Sequence, residues 1–142
     1  MTPQQIALVQ ESFRKVMPIA DTAAGMFYAR LFELDPSLRS LFKGELRKQG
    51  MMLMSMIGSA VRGLTDTNAL VPVLHALGRR HSGYGVTDAH YTTVAEALLW
   101  TLQQGLGDEF TAETREAWVA AYSLMASVMQ QGGREQPIRA AA

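Results

Sequence analysis

The sequence predicts an all-α domain of about seven to eight helices. Three observations predict it. Apolar residues recur at intervals of three and four, as on one face of a helix, and no segment alternates with period two over a useful length. Thr, Asp and Pro stand where helices would start, and glycines where they would stop. The 142 residues are 48% hydrophobic and 18% charged, enough apolar surface for one buried core.

The elements follow in order. Thr2-Pro3-Gln4-Gln5 reads as a capping box, and the first helix runs to about Val16 with Ile6, Val9, Phe13 and Val16 at helical spacing. The second covers about Ala20 to Glu33, with Ala24, Phe27, Tyr28, Leu31 and Phe32 on one side. Asp35-Pro36-Ser37 starts a short helical turn ending at Leu41-Phe42, and the polar stretch from Lys43 to Lys48 reads as a loop. A helix from about Arg47 to Gly63 follows, then a turn and cap at Thr65–Asn68, then a helix ending at His81-Ser82-Gly83. Thr87-Asp88 caps a helix from Ala89 to about Gln104, broken at Gly105–Asp108. Thr111 caps the last helix, to about Gln131, with Gly132-Gly133 as its stop. Residues 1–132 form the domain and 133–142 are expected to fray. Prolines are few and fall where helices begin or end.

Composition excludes several functions. Thirteen basic and thirteen acidic residues cancel, so nothing marks a nucleic-acid or anionic-membrane partner. Without cysteine there is no disulfide or thiolate metal site. No signal peptide or membrane-length apolar run is visible, so a soluble cytoplasmic protein is expected.

A lone histidine on an apolar helix face is most often a packed core residue. His81 shares its stripe with Leu77 and Leu74, whereas His75 faces elsewhere. In the preceding helix Gln49, Leu53 and Met56 form one stripe, with a polar residue at its head. Tyr28 stands among apolar residues of the second helix. One His, one Gln and one Tyr can thus converge on one apolar pocket.

The chain resembles the bacterial single-domain globins, close to the globin domain of flavohaemoglobins and to haemoglobins of the Vitreoscilla and Methylacidiphilum type. The resemblance spans about Thr2 to Gln131. It rests on Met26-Phe27-Tyr28-Ala29-Arg30-Leu31-Phe32, Asp35-Pro36 with Leu41-Phe42, and Gln49-Gly50-Met51-Met52-Leu53-Met54. It also rests on Leu77-Gly78-Arg79-Arg80-His81 with Tyr84-Gly85-Val86, on Asp88-Ala89-His90-Tyr91 with Glu96-Ala97-Leu98-Leu99, and on Ala117-Trp118 with Ala121-Tyr122. Each piece is weak alone; their order and spacing carry the match.

The resemblance implies a globin fold around haem b. It makes His81 the iron ligand, Phe42 a ring stacked on the porphyrin, and Gln49 and Tyr28 the polar residues facing a bound gas. Leu53 would lie over the iron. Val86, Tyr91 and Val94 would line the proximal side with Leu77. Arg80 would pair with a propionate, and Gly50 would cross Ala24 closely. His75 is expected at the surface, His90 as a capping or packing residue, and Trp118 and Tyr122 in the core.

An amide and a phenol are poor iron ligands, so an open or water-filled sixth position is expected. Reversible binding of O₂, with NO and CO as further ligands, is the implied function. Nitric oxide dioxygenation would follow if a separate reductase supplied electrons, since the chain ends before any flavin or nicotinamide domain. The alternative is a globin-fold sensor or interaction module acting through a partner. One departure stands out: where flavohaemoglobins place a Glu beside the proximal His, this chain has Gly133, with Glu135 two residues on.

Overall fold

The computed structural model describes the backbone of residues 1–141 and the side chains of residues 1–134. The described residues form six α-helices: α1 (Pro3–Val16), α2 (Ala20–Leu34), α3 (Leu46–Arg62), α4 (Thr67–Gly83), α5 (Asp88–Leu106) and α6 (Ala112–Ala141). The expected seventh helix is a 3₁₀ segment, Pro36–Leu41, and three further 3₁₀ turns join other helices. Asp35 accounts for the Pro36–Leu41 turn: its carboxylate accepts from the Ser37 N–H at 3.1 Å and from the Ser37 hydroxyl at 2.6 Å. Such local bonding favours a tight turn over a continued α-helix.

Capping chemistry sets most starts. Thr2 and Gln5 form a reciprocal capping box on α1. Asp66 accepts from Ala69 at the start of α4, and the Thr111 hydroxyl accepts from the Thr114 N–H at 3.2 Å at the start of α6. His90 resolves as a capping residue, its Nδ1 accepting from the Thr87 N–H at 3.0 Å.

Three boundaries differ from the sequence reading. Pro72 lies inside α4 rather than at an end. It removes one hydrogen bond, to Asn68, but both residues are exposed and water can satisfy the carbonyl. Helix α5 continues through Gly105 to Leu106 and stops at Gly107, whose φ of +57° is open to glycine at little cost. Helix α6 does not stop at Gly132-Gly133. Those glycines are helical because they lie against α4, a tertiary contact that outweighs their poor helix propensity.

Two layers result. Helices α2, α5 and α6 pack in series, and α1, α3 and α4 lie against them: α1 on α6, α3 on α2, α4 on α6. Trp118 anchors the core at 0% exposure, 6.3 Å from the Phe13 ring. Its indole N–H donates to Ser12 Oγ at 2.8 Å, and the Ser12 hydroxyl donates to the Leu8 carbonyl at 2.6 Å, so the buried polar chain is satisfied. Among the described residues, no helix is long and apolar enough to cross a membrane.

Helices α3 and α4 are joined by the short turn Gly63–Thr65, yet they do not pack along their lengths. Neither has extensive packing on the other, and α4 does not pack extensively on α5. Helix α4 is thus held to the fold mainly through α6, with α3 and α5 making little contact with it.

Candidate functional site

His81 stands in the last turn of α4, half-buried. Its ring Nδ1 lies 2.9 Å from the Leu77 carbonyl oxygen. A carbonyl has no proton to give, so Nδ1 carries the hydrogen and donates. The proton is therefore on Nδ1, and Nε2 holds a free lone pair. Burial pushes the ring's pKa below its ordinary value, and the Arg80 charge lowers it further, against the opposing pull of the Leu77 bond. A neutral imidazole with a fixed tautomer and a bare Nε2 is what a metal ion requires. Past the helix end, the Val86 N–H returns to the His81 carbonyl at 3.1 Å and folds the Tyr84–Val86 turn back onto it.

In α2, Tyr28 is 6% exposed and sits in an aromatic cluster. Its ring lies 5.3 Å from Phe27, 6.0 Å from Phe32 and 5.2 Å from Phe42. Phe42 meets Tyr28 edge-on, which ties the turn before α3 to α2. The Tyr28 hydroxyl makes no hydrogen bond to another described residue, and burial pushes its pKa up to about 12. The phenol is thus a neutral donor with its proton unspent. A Cβ at Gly50 would stand 2.9 Å from the Ala24 Cβ and 3.7 Å from the Tyr28 ring, so α3 approaches α2 as closely as glycine allows. Gln49, one residue before, is half-buried, and its amide has no hydrogen-bond partner among the described residues. Leu53 is half-buried one turn on and packs against the core.

Leu77, Val86, Tyr91 and Val94 are all half-buried, whereas Arg80 is exposed. The Tyr91 backbone is held by α6: the Tyr122 hydroxyl donates to the Tyr91 carbonyl at 2.6 Å. Tyr122 therefore does more than fill the core. His75 is half-buried rather than at the surface, because its turn of α4 faces α6. Of the methionines in α3, Met51 and Met52 are exposed and Met54 is buried. The structure brings Tyr28 against Phe42 and close to Gly50, and His81 onto Leu77. Gln49 and His81 stand on α3 and α4, which do not pack extensively on each other.

Gly133 lies against α4, where its Cβ would meet the Ser82 Cβ at 3.2 Å and the Gly78 carbonyl at 3.3 Å. The Glu135 side chain is outside the described residues. The His81 ring's partner is a backbone carbonyl rather than a carboxylate. Residue-by-residue reading missed Gly44, whose Cβ would stand 3.6 Å from the Gln49 amide nitrogen. It also missed Gly78 as a contact residue. A glycine inside an apolar helical stripe was the available signal.

Among the described residues, no three His, Asp or Glu side chains gather to hold a metal ion. His81 can therefore offer a single side-chain ligand to a metal ion. A surface groove of about 510 Å³ runs between α2 and α3 beside Tyr28, Leu46, Arg47 and Met51, but it reaches neither His81 nor Leu53.

Comparison with known proteins gives concordant findings. A profile of the globin family matches residues 25–129. Neuroglobin of Danio rerio is 35% identical over 121 residues, covering 75% of this chain and 76% of that protein. A flavohaemoprotein of Xylella fastidiosa is 31% identical over 141 residues, covering 97% of this chain but 35% of its own length. Among solved structures, an engineered carbene transferase of Rhodothermus marinus, named for a nitric oxide dioxygenase, superposes with a TM-score of 0.88. It shares 25% identity, covering 100% of this chain and 99% of that one. A hexacoordinated haem protein of a tardigrade shares the fold, with a TM-score of 0.85 at 18% identity over 95% of this chain and 96% of that one.

Proposed function

The chain belongs to the globin family, and on that premise we propose that it binds haem b between α3 and α4 and reversibly binds O₂. The observation that carries this reading is the His81 ring: its Nδ1–H is committed to the Leu77 carbonyl, so Nε2 offers its lone pair. The chain's other residues fit the group. Phe42, Leu53, Leu77, Val86 and Val94 supply half-buried apolar surface for a flat apolar ring, and Tyr91 is half-buried as well. Arg80, exposed beside His81, suits a propionate at the rim.

When bound, a haem supplies an iron with one coordination position free for O₂, CO or NO. Everything else is supplied by this chain. His81 would hold the iron from α4. Tyr28 and Gln49 supply hydrogen-bond donors from α2 and α3, and neither donor is engaged elsewhere. A hydrogen bond to a charged or strongly polarised acceptor is worth roughly 1.5–3 kcal/mol. Leu53 and Phe42 restrict water. Neither an amide nor a neutral phenol competes well for iron, so Gln49 and Tyr28 would leave it open to a gas. We extend the proposal to nitric oxide dioxygenation with electrons from a separate reductase, a reading supported by similarity to the Xylella and Rhodothermus proteins.

The test is haem titration of the purified chain beside His81→Ala. The wild type should take up one haem per chain with a sharp Soret band. His81→Ala should bind more weakly and lose the five-coordinate ferrous spectrum. A variant with an unchanged spectrum would show that another residue holds the iron.

A further inference from the structure

Helix α4 carries His81, yet among the described residues its only extensive helix partner is α6. The contact is made through glycine. A Cβ at Gly78 would stand 1.8 Å from the Met129 carbonyl oxygen, and one at Gly132 would stand 2.2 Å from the His75 carbonyl oxygen. Backbone thus meets backbone from both sides. Gly133 continues the contact one residue on, with less constraint: its Cβ would meet Ser82 and the Gly78 carbonyl at 3.2 and 3.3 Å. These residues are Gly78, three positions before His81, and Ser82, one position after it. The same α6 is fixed to the start of α5 by the Tyr122–Tyr91 hydrogen bond. One helix therefore references both the element that carries His81 and the element beside it.

We propose that the glycine contact between α4 and α6 sets how closely His81 approaches the iron, which makes Gly78, Gly132 and Gly133 positioning residues. This rests on the haem reading above. A side chain at Gly78 or Gly132 needs ordinary contact, so α4 must move off α6 by about 1.5 Å, because packed backbone does not compress. His81 travels with the helix, since its ring is bonded to Leu77 in the same turn. A coordination bond does not stretch by that much, so the bond weakens or the haem shifts with the helix.

The experiment measures the iron–histidine stretching band of the ferrous, ligand-free protein by resonance Raman, together with the rate of haem loss. Gly132→Ala and Gly78→Ala should shift the band from its wild-type frequency and speed haem loss about ten- to a hundredfold, as for other outer residues that orient a metal ligand. Gly133→Ala, which needs only a few tenths of an ångström, should fold and give a smaller shift in the same direction. Two controls separate positioning from stability. Gly25→Ala adds a Cβ with nothing within 4 Å, and Ser12→Ala weakens the core away from α4; neither should move the band.

A folded Gly133→Ala with the wild-type band overturns the proposal, whatever becomes of the two tighter variants. So does a shift in Ser12→Ala as large as that in Gly133→Ala. A wild type with no iron–histidine band overturns the haem reading instead.

Discussion

Replacing Tyr28 with phenylalanine removes one oxygen atom and leaves the ring among Phe27, Phe32 and Phe42. The lost hydroxyl has no partner among the described residues, so its removal strands no donor or acceptor. Folding stability should therefore change by no more than about 1 kcal/mol, in either direction. Gas binding should respond differently. If the hydroxyl donates to bound O₂, its loss removes roughly 1.5–3 kcal/mol, or about a ten- to hundredfold faster off-rate. The assay is stopped-flow displacement of O₂ by CO on the ferrous protein, paired with urea unfolding. Binding of CO, a weaker acceptor, should change much less. Because burial holds the phenol near a pKa of about 12, the wild-type off-rate should stay flat with pH up to about pH 10. An O₂ off-rate unchanged in Tyr28→Phe would refute the distal-donor assignment. A large loss of folding stability would refute the claim that the hydroxyl is free.

Other perturbations follow from the same geometry. Ser12→Ala leaves the Trp118 indole N–H unpaired at 0% exposure and should cost about 1–3 kcal/mol in urea unfolding. Gly50→Val forces a side chain into the 2.9 Å approach to Ala24, and should cost about 1–3 kcal/mol while shifting O₂ kinetics through the adjacent Tyr28. Tyr122→Phe should cost about 0.5–1.5 kcal/mol by thermal or urea unfolding, since one hydrogen bond between α5 and α6 is lost. Tyr28 and Tyr122 both have raised folded-state pKa values. Burial disfavours the charged phenolate in the folded state, so stability is unaffected by these groups below the unfolded tyrosine pKa of about 10 and falls as pH rises above it towards the folded values; the alkaline limb of unfolding should therefore move to higher pH in Tyr28→Phe.

The helices were legible because their signals are local. The Thr2 capping box, the Val9–Phe13–Val16 stripe and the Asp35 turn each depend on neighbours in sequence, and the structure reproduces each one. The tautomer of His81 was not legible, because it depends on where a carbonyl of the previous turn points. Gly132 and Gly133 read as a helix stop because glycine is a poor helix former. Only the three-dimensional approach of α4 shows why they are helical. Pro72 misled in the same way: an exposed helix face tolerates the lost bond. Tyr122 read as core filling, because no sequence pattern links it to a carbonyl 31 residues away.

The most direct measurement is the absorption spectrum of the ferrous protein, reconstituted with haem b and cycled between argon and air. The account predicts a five-coordinate spectrum under argon, an oxygenated spectrum in air, and return to the first when O₂ is removed. A protein that takes up no haem, or whose ferrous spectrum is already six-coordinate and ignores O₂, would contradict it.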